Sequence, residues 1–135
     1  MTRRRLAAWI YCAATGIVIA FQISLAAGAP WGAYAMGGVH PGRFPLPLRI
    51  AAVVQALLLT GMAGVVLARA DLAMRRWQPA SRRWIWAIVA FAALSLALNL
   101  LSPSAGERAL WAPVAAILLI SSAIVGFDRA PSSNG

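Results

Sequence analysis

Four long apolar runs constrain this chain more than any other feature: Leu6 to Gly28, Leu48 to Ala68, Trp84 to Leu101 and Leu110 to Phe127. None carries an acidic or basic residue beyond its first helical turn. Each run falls within the ~17–25 residues that a helix needs to cross the hydrocarbon layer. The last two are short, roughly 27 Å at ~1.5 Å per residue; they stand nearly upright or borrow interfacial residues at their ends. The expected fold is an all-α, polytopic four-transmembrane-helix bundle with helices at about 6–28, 48–68, 84–101 and 110–127.

Composition agrees. Hydrophobic residues make up 61% of the chain, against ~45–50% in an ordinary soluble domain. Charged residues make up 11%, where ~25% is usual. So few charges cannot cover a water-solvated surface. The length allows one domain.

The net charge of +9 raises nucleic-acid binding as a possibility, but the placement of the charges excludes it. All the positive residues are arginines at the edges of apolar runs: Arg3, Arg4 and Arg5 before the first, and Arg69, Arg75, Arg76, Arg82 and Arg83 between the second and third. A nucleic-acid reader places such charges along a solvated face among stacking aromatics. Flanking arginines instead orient spans, with the richer side in the cytoplasm. With the N-terminus inside, those residues and Arg129 are cytoplasmic, and only Arg43, Arg49 and Arg108 lie outside. The expected topology is therefore N-in, C-in. Trp9, Tyr11, Trp77, Trp84 and Trp86 at the inner face, with Trp31, Tyr34 and Trp111 at the outer, fit aromatic belts at the two headgroup zones.

Arg3–Arg5, the apolar stretch and the small residues Ala26, Ala27, Gly28 and Ala29 also resemble a secretory signal peptide. The stretch exceeds the ~7–15 residues of a signal core, contains Gln22, and is followed by Pro30. It is read as a retained helix.

The inner loop 69–83 is basic and reads as a linker in contact with headgroups, with Pro79 and Ser81 marking the next helix start. The tail 128–135 is polar and expected to be disordered. The outer loop 29–47 is long for a connection, yet Trp31, Tyr34, Met36, Val39, Phe44 and Leu46 make it too apolar for a solvated tether. Pro41–Gly42 suits the centre of a type II turn, and Pro47 the first position of a helix. This loop is expected to be an ordered cap. Ser104 and Glu107 have the spacing of a capping box at the head of the fourth helix.

Polar residues interrupt the runs at Gln22, Gln55 and Asn99. On the expected topology all three lie in the outer half of the membrane, with Arg49 at a similar level. Carboxamides both donate and accept hydrogen bonds, so the layer suits a polar headgroup or ordered water. It equally suits interhelical glue, at about 0.6 kcal/mol per contact. The candidate ligand-binding residues are Gln22, Trp31, Tyr34, His40, Arg49, Gln55 and Asn99. Small-residue stripes at Cys12/Gly16/Ala20, Thr60/Gly64/Ala68 and Ser122/Gly126 point to close helix packing.

Other chemistries lack their residues. His40 is the only histidine and Cys12 the only cysteine, too few for a zinc or haem site within one chain. No cofactor or metal is expected. Asp71 and Asp128 fall on the other side of the membrane from His40, which rules out a Ser-His-Asp triad. Proton-coupled transport normally requires an ionisable group within the membrane. The chain matches small multidrug resistance transporters in length and span number, but has Gln22 nearest to where they carry a glutamate.

The stretches GAPWGAYAMGG, PGRFPLPLRI and NLLSPSAGERALWAPVA resemble those of an uncharacterised group of small bacterial four-helix membrane proteins. The resemblance implies this topology and a bacterial inner-membrane location, and transfers no functional residue. Three functions are compatible with the residues. The first is a non-enzymatic accessory subunit with a membrane-protein partner or a homo-oligomeric state. The second is a protein that binds or transports a lipid or small amphiphile under the 29–47 loop. The third is a membrane enzyme using Glu107, His40 and Arg49. Membrane lipids are partners in each case.

Overall fold

The computed structural model describes residues 2–128. Four helices, α1 (Arg3–Ala26), α2 (Leu46–Arg69), α3 (Gln78–Leu100) and α4 (Ala105–Phe127), are each long and apolar enough to cross a membrane. Short 3-10 turns at Gly32–Tyr34, Met36–Gly38 and Arg75–Trp77 lie in the two longer connections.

Each helix begins before its apolar run, while α1 ends at Ala26, short of Gly28. α3 begins at Gln78 rather than Trp84, and α4 at Ala105 rather than Leu110. Charge limits the depth of insertion, whereas backbone hydrogen bonding continues until a cap or turn stops it. Pro47 and Pro79 stand at the second position of α2 and α3, where a missing N–H costs nothing because the first turn has no intrahelical acceptor. The Ser104 side chain caps α4 by accepting from the Glu107 N–H at 3.2 Å.

α1 packs on α2 and α4, and α3 packs on α4. The α2–α3 seam is the most sparsely closed of the four. Large apolar side chains point outward along every helix: Ile17 is 57% exposed, Leu57 68%, Leu98 60% and Ile120 61%. A soluble bundle buries such residues; a bundle solvated by lipid tails does not need to.

The interior has two packed tiers. At the end where the arginines gather, Ala7, Ala8, Tyr11, Val66, Ile85 and Val125 form a tight core. Tyr11 is 2% exposed and belongs to that core, which corrects the expectation of an interfacial ring. At the opposite end Leu25, Phe44 and Ala52 form a smaller core beneath the 29–47 loop.

The arginine end is fastened by ion pairs. Arg4, 5% exposed, donates to Asp71 at 3.0 Å, so it is a buried tie. The Gln78 amide donates to the other Asp71 oxygen at 2.6 Å. That hydrogen bond, with Arg4, holds the Asp71 carboxyl below its usual range. Arg3 meets Asp128 at 2.5 Å, joining the start of α1 to the end of α4, and likewise lowers the Asp128 carboxyl. Asp128, the first residue of the expected loose tail, is therefore held. Arg129 and the rest of that tail lie outside the described residues.

The small-residue stripes divide. Gly64 lies close against the Trp77 ring and Gly126 against the Trp86 ring. The Cys12/Gly16/Ala20 stripe turns away from the bundle, and nothing approaches within 4 Å of a side chain built at Gly16.

Candidate ligand-binding site

The 29–47 loop is folded back on itself. The Gly32 N–H donates to the Gly42 carbonyl at 2.9 Å, and a side chain at Gly32 would stand 1.8 Å from the His40 carbonyl oxygen. Gly42 has φ +88, the left-handed geometry that the Pro41–Gly42 turn requires of its third residue.

The head of α4 holds this loop down. Trp111 Nε1 donates to the Tyr34 carbonyl at 2.9 Å, and Ser104 Oγ donates to the Ala33 carbonyl at 2.7 Å. Glu107 Oε2 accepts from the Gly37 N–H at 2.8 Å and from Ser102 Oγ at 2.6 Å. Glu107 therefore does not complete the expected capping box. Ser102 Oγ takes the Ser104 N–H instead, which frees the carboxylate for the loop. The Tyr34 ring lies over Gly106, where a methyl group would come within 2.7 Å. Trp111 is largely buried beneath the loop and is not an interfacial ring.

Under this lid is a cavity of about 350 Å3. Its floor, toward the middle of the bundle, comprises Val18, Leu59 and Leu118. Gln22, Gln55, Ser95 and Asn99 form a polar waist one helical turn nearer the loop. Tyr34, Met36, Phe44 and Glu107 form the roof. Asn99 turns its amide onto the Ser95 carbonyl at 2.7 Å. Gln22 and Gln55 make no side-chain hydrogen bond among the described residues.

The cavity opens sideways. Its lining on α1 and α4 includes the buried Leu25, Trp111 and Ala115. On α2 and α3 the lining residues Ala51, Gln55, Phe91, Leu94 and Leu98 are exposed. The opening therefore follows the sparse α2–α3 seam and faces the surroundings of the bundle.

Of the sequence candidates, the structure gathers Gln22, Tyr34, Gln55 and Asn99 into this cavity. Trp31, His40 and Arg49 are outside its lining. Trp31 stacks on Phe21 at 6.2 Å, and His40 meets Phe44 edge-on at 6.4 Å. Arg49 Nε donates to the Ala26 carbonyl at 2.7 Å, closing the end of α1. Of the enzyme trio, His40 and Arg49 thus lie outside the cavity, while Glu107 is in its roof and holds the loop. The portal residues Phe91, Leu94 and Leu98 carried no sequence signal, because a portal leucine and a lipid-facing leucine look alike in one sequence. No group of three or more metal-ligating side chains occurs among the described residues.

Comparison with known proteins finds no matching family model, no matching curated protein and no matching solved structure.

Proposed function

We propose that this is a multi-pass bacterial inner-membrane protein that binds a single-chain amphiphile with an uncharged polar head. The amphiphile enters between α2 and α3, and both termini of the protein are cytoplasmic. Membership in the group of small bacterial four-helix membrane proteins belongs to the same proposal. Retention of α1 does too, since α1 supplies Tyr11 and Ala8 to one core and Leu25 to the other.

The observation that carries the reading is a laterally open cavity with an apolar floor and a waist of carboxamides. About 350 Å3 lies at the small end of the ~300–1,000 Å3 range of ligand pockets, which favours one chain over two. Lipid tails are as apolar as leucine, so moving a chain from bilayer to cavity gains little from hydrophobicity. Selectivity then comes from the waist. Gln22 and Gln55 offer both donors and acceptors, which suits a hydroxyl, ester or amide. The Glu107 carboxylate in the roof disfavours an anionic head.

The test is retention of a monoacylglycerol by purified protein, read by native mass spectrometry, for the wild type and for Ala51→Phe, which narrows the portal. One bound monoacylglycerol, lost in Ala51→Phe with the melting temperature unchanged, supports the reading. Equal retention by both proteins, or none by the wild type, contradicts it. In Gln55→Ala or Asn99→Ala, retention should fall more than folding does.

A second reading, an accessory subunit or homo-oligomer, is favoured by the outward Cys12/Gly16/Ala20 stripe on α1. Close helix approach uses such stripes. Recovery of a second membrane protein or a further copy in fixed ratio, lost in Gly16→Leu, supports it. A lone monomer counts against it.

A further inference from the structure

The arginine end holds charge that the described residues do not balance. Arg4 is 5% exposed, and its Nη1 is buried without a hydrogen-bond partner. Arg69, the half-buried last residue of α2, has its Nε in the same condition. Arg82, exposed near the start of α3, is close enough for its charge, like that of Arg4, to repel Arg69, while Asp71 attracts it. Asp71 is already committed through one oxygen to Arg4 and through the other to Gln78. The ion pairs among the described residues are Arg4–Asp71 and Arg3–Asp128, so Arg69 and Arg82 lack a carboxylate partner there.

Arg4, Arg69 and Arg82 thus form a cationic cluster at the end of a membrane-length helix, with two buried nitrogens unpartnered and the nearby Asp71 carboxylate already committed. A half-buried charge is costly unless it is paired. The planar guanidinium fork matches phosphate oxygens and binds them bidentately. The end of such a helix also lies at headgroup depth, where lipid phosphates are available.

We infer that Arg69 and Arg82, backed by Arg4, form a site for a phosphate group at the arginine end of the bundle, separate from the cavity at the loop end. Arg69 and Arg82 grip the oxygens, while Arg4 supplies the charge behind them and keeps its tie to Asp71. The phosphate comes either from a phospholipid headgroup or from a free anion.

The experiment uses the full chain in detergent, with phosphatidylglycerol, diacylglycerol of the same chains, and inorganic phosphate as separate probes. Native mass spectrometry reads lipid retention and thermal unfolding reads the effect of phosphate. Loss of a charged hydrogen-bonded pair should weaken retention about tenfold or more in Arg69→Gln and in Arg82→Gln. Arg83→Gln removes the same charge from an exposed neighbour and should change nothing. Preference for phosphatidylglycerol over diacylglycerol, lost in the first two variants only, supports the site with a lipid as its source. Stabilisation by inorganic phosphate, lost in the same two variants and without lipid preference, supports it with a free anion. Equal retention of both lipids with no phosphate effect overturns it, as does an Arg83→Gln loss matching that of Arg82→Gln. Should Arg69→Gln fail to fold, Arg82→Gln decides alone, and wild-type retention in that variant also overturns the site.

Discussion

Replacing Glu107 by alanine removes one oxygen that serves two donors, the Gly37 N–H of the loop and the Ser102 hydroxyl of the α3–α4 turn. An orphaned donor costs about 1–3 kcal/mol. Water reaches this partly buried edge, so the lower part of that range applies to each. Loss of a carboxylate near a helix N-terminus adds about 0.3–1 kcal/mol. The sum is about 3 kcal/mol, concentrated on the loop. Glutamine in the same place still offers one oxygen to both donors and forfeits only the charge assistance, about 1 kcal/mol. Because ~1.4 kcal/mol is a factor of ten, amide exchange in peptides covering residues 32–42 should accelerate about a hundredfold in Glu107→Ala. In Glu107→Gln the acceleration should be about fivefold. Hydrogen–deuterium exchange with mass spectrometry resolves both, with the α3 peptides as an internal reference. Unchanged exchange over 32–42 in Glu107→Ala would refute the tether. Equal damage from alanine and glutamine would refute the acceptor geometry and assign the effect to charge alone.

Four further outcomes follow from the packing, the ion pairs and the proposed topology. Gly32→Ala drives a methyl group into the His40 carbonyl and should cost about 1–3 kcal/mol in unfolding measurements; Gly16→Ala, with open space around it, should gain about 0.5–1 kcal/mol. The Asp71 carboxyl is lowered in the folded state, so its stabilising effect is complete above the ordinary carboxylate range near ~4. That stability is lost as pH falls through the folded value, and Asp71→Asn should flatten this acid-side decline in a melting series. Val39→Cys, placed in a Cys12→Ser background, should react with a membrane-impermeant maleimide added outside intact spheroplasts; labelling only after lysis would reverse the proposed topology.

The four membrane-length helices were legible because exclusion of charge from hydrocarbon is a one-dimensional rule, readable along the chain. The Ser104 cap was legible for the same reason, since cap and first turn are neighbours in sequence. The polar layer was partly legible: Gln22, Gln55 and Asn99 could be placed at one depth by counting turns, and the structure sets all three around one cavity. Which way a residue faces around its helix was not legible. Hydrophobic periodicity fades when the outside is as apolar as the inside, so Tyr11 and Trp111 were expected at interfaces and are found buried. Contacts between distant segments were also beyond reach. The Gly37–Glu107 and Arg4–Asp71 pairs join residues 70 and 67 positions apart, and nothing local to Glu107, Arg4 or Asp71 distinguishes a tether from a solvated charge. Arg49 was expected in that layer, but its hydrogen bond to the Ala26 carbonyl makes it a helix closure rather than part of the cavity lining.

The most direct test of amphiphile binding is photolabelling with a monoacylglycerol carrying a diazirine at its chain end, in membranes containing the wild-type protein. The proposal expects adducts concentrated on the cavity floor, at Val18, Leu59 and Leu118, and suppressed by excess unlabelled monoacylglycerol. Adducts spread evenly over outward residues such as Ile17, Leu57 and Ile120, without competition, would contradict it.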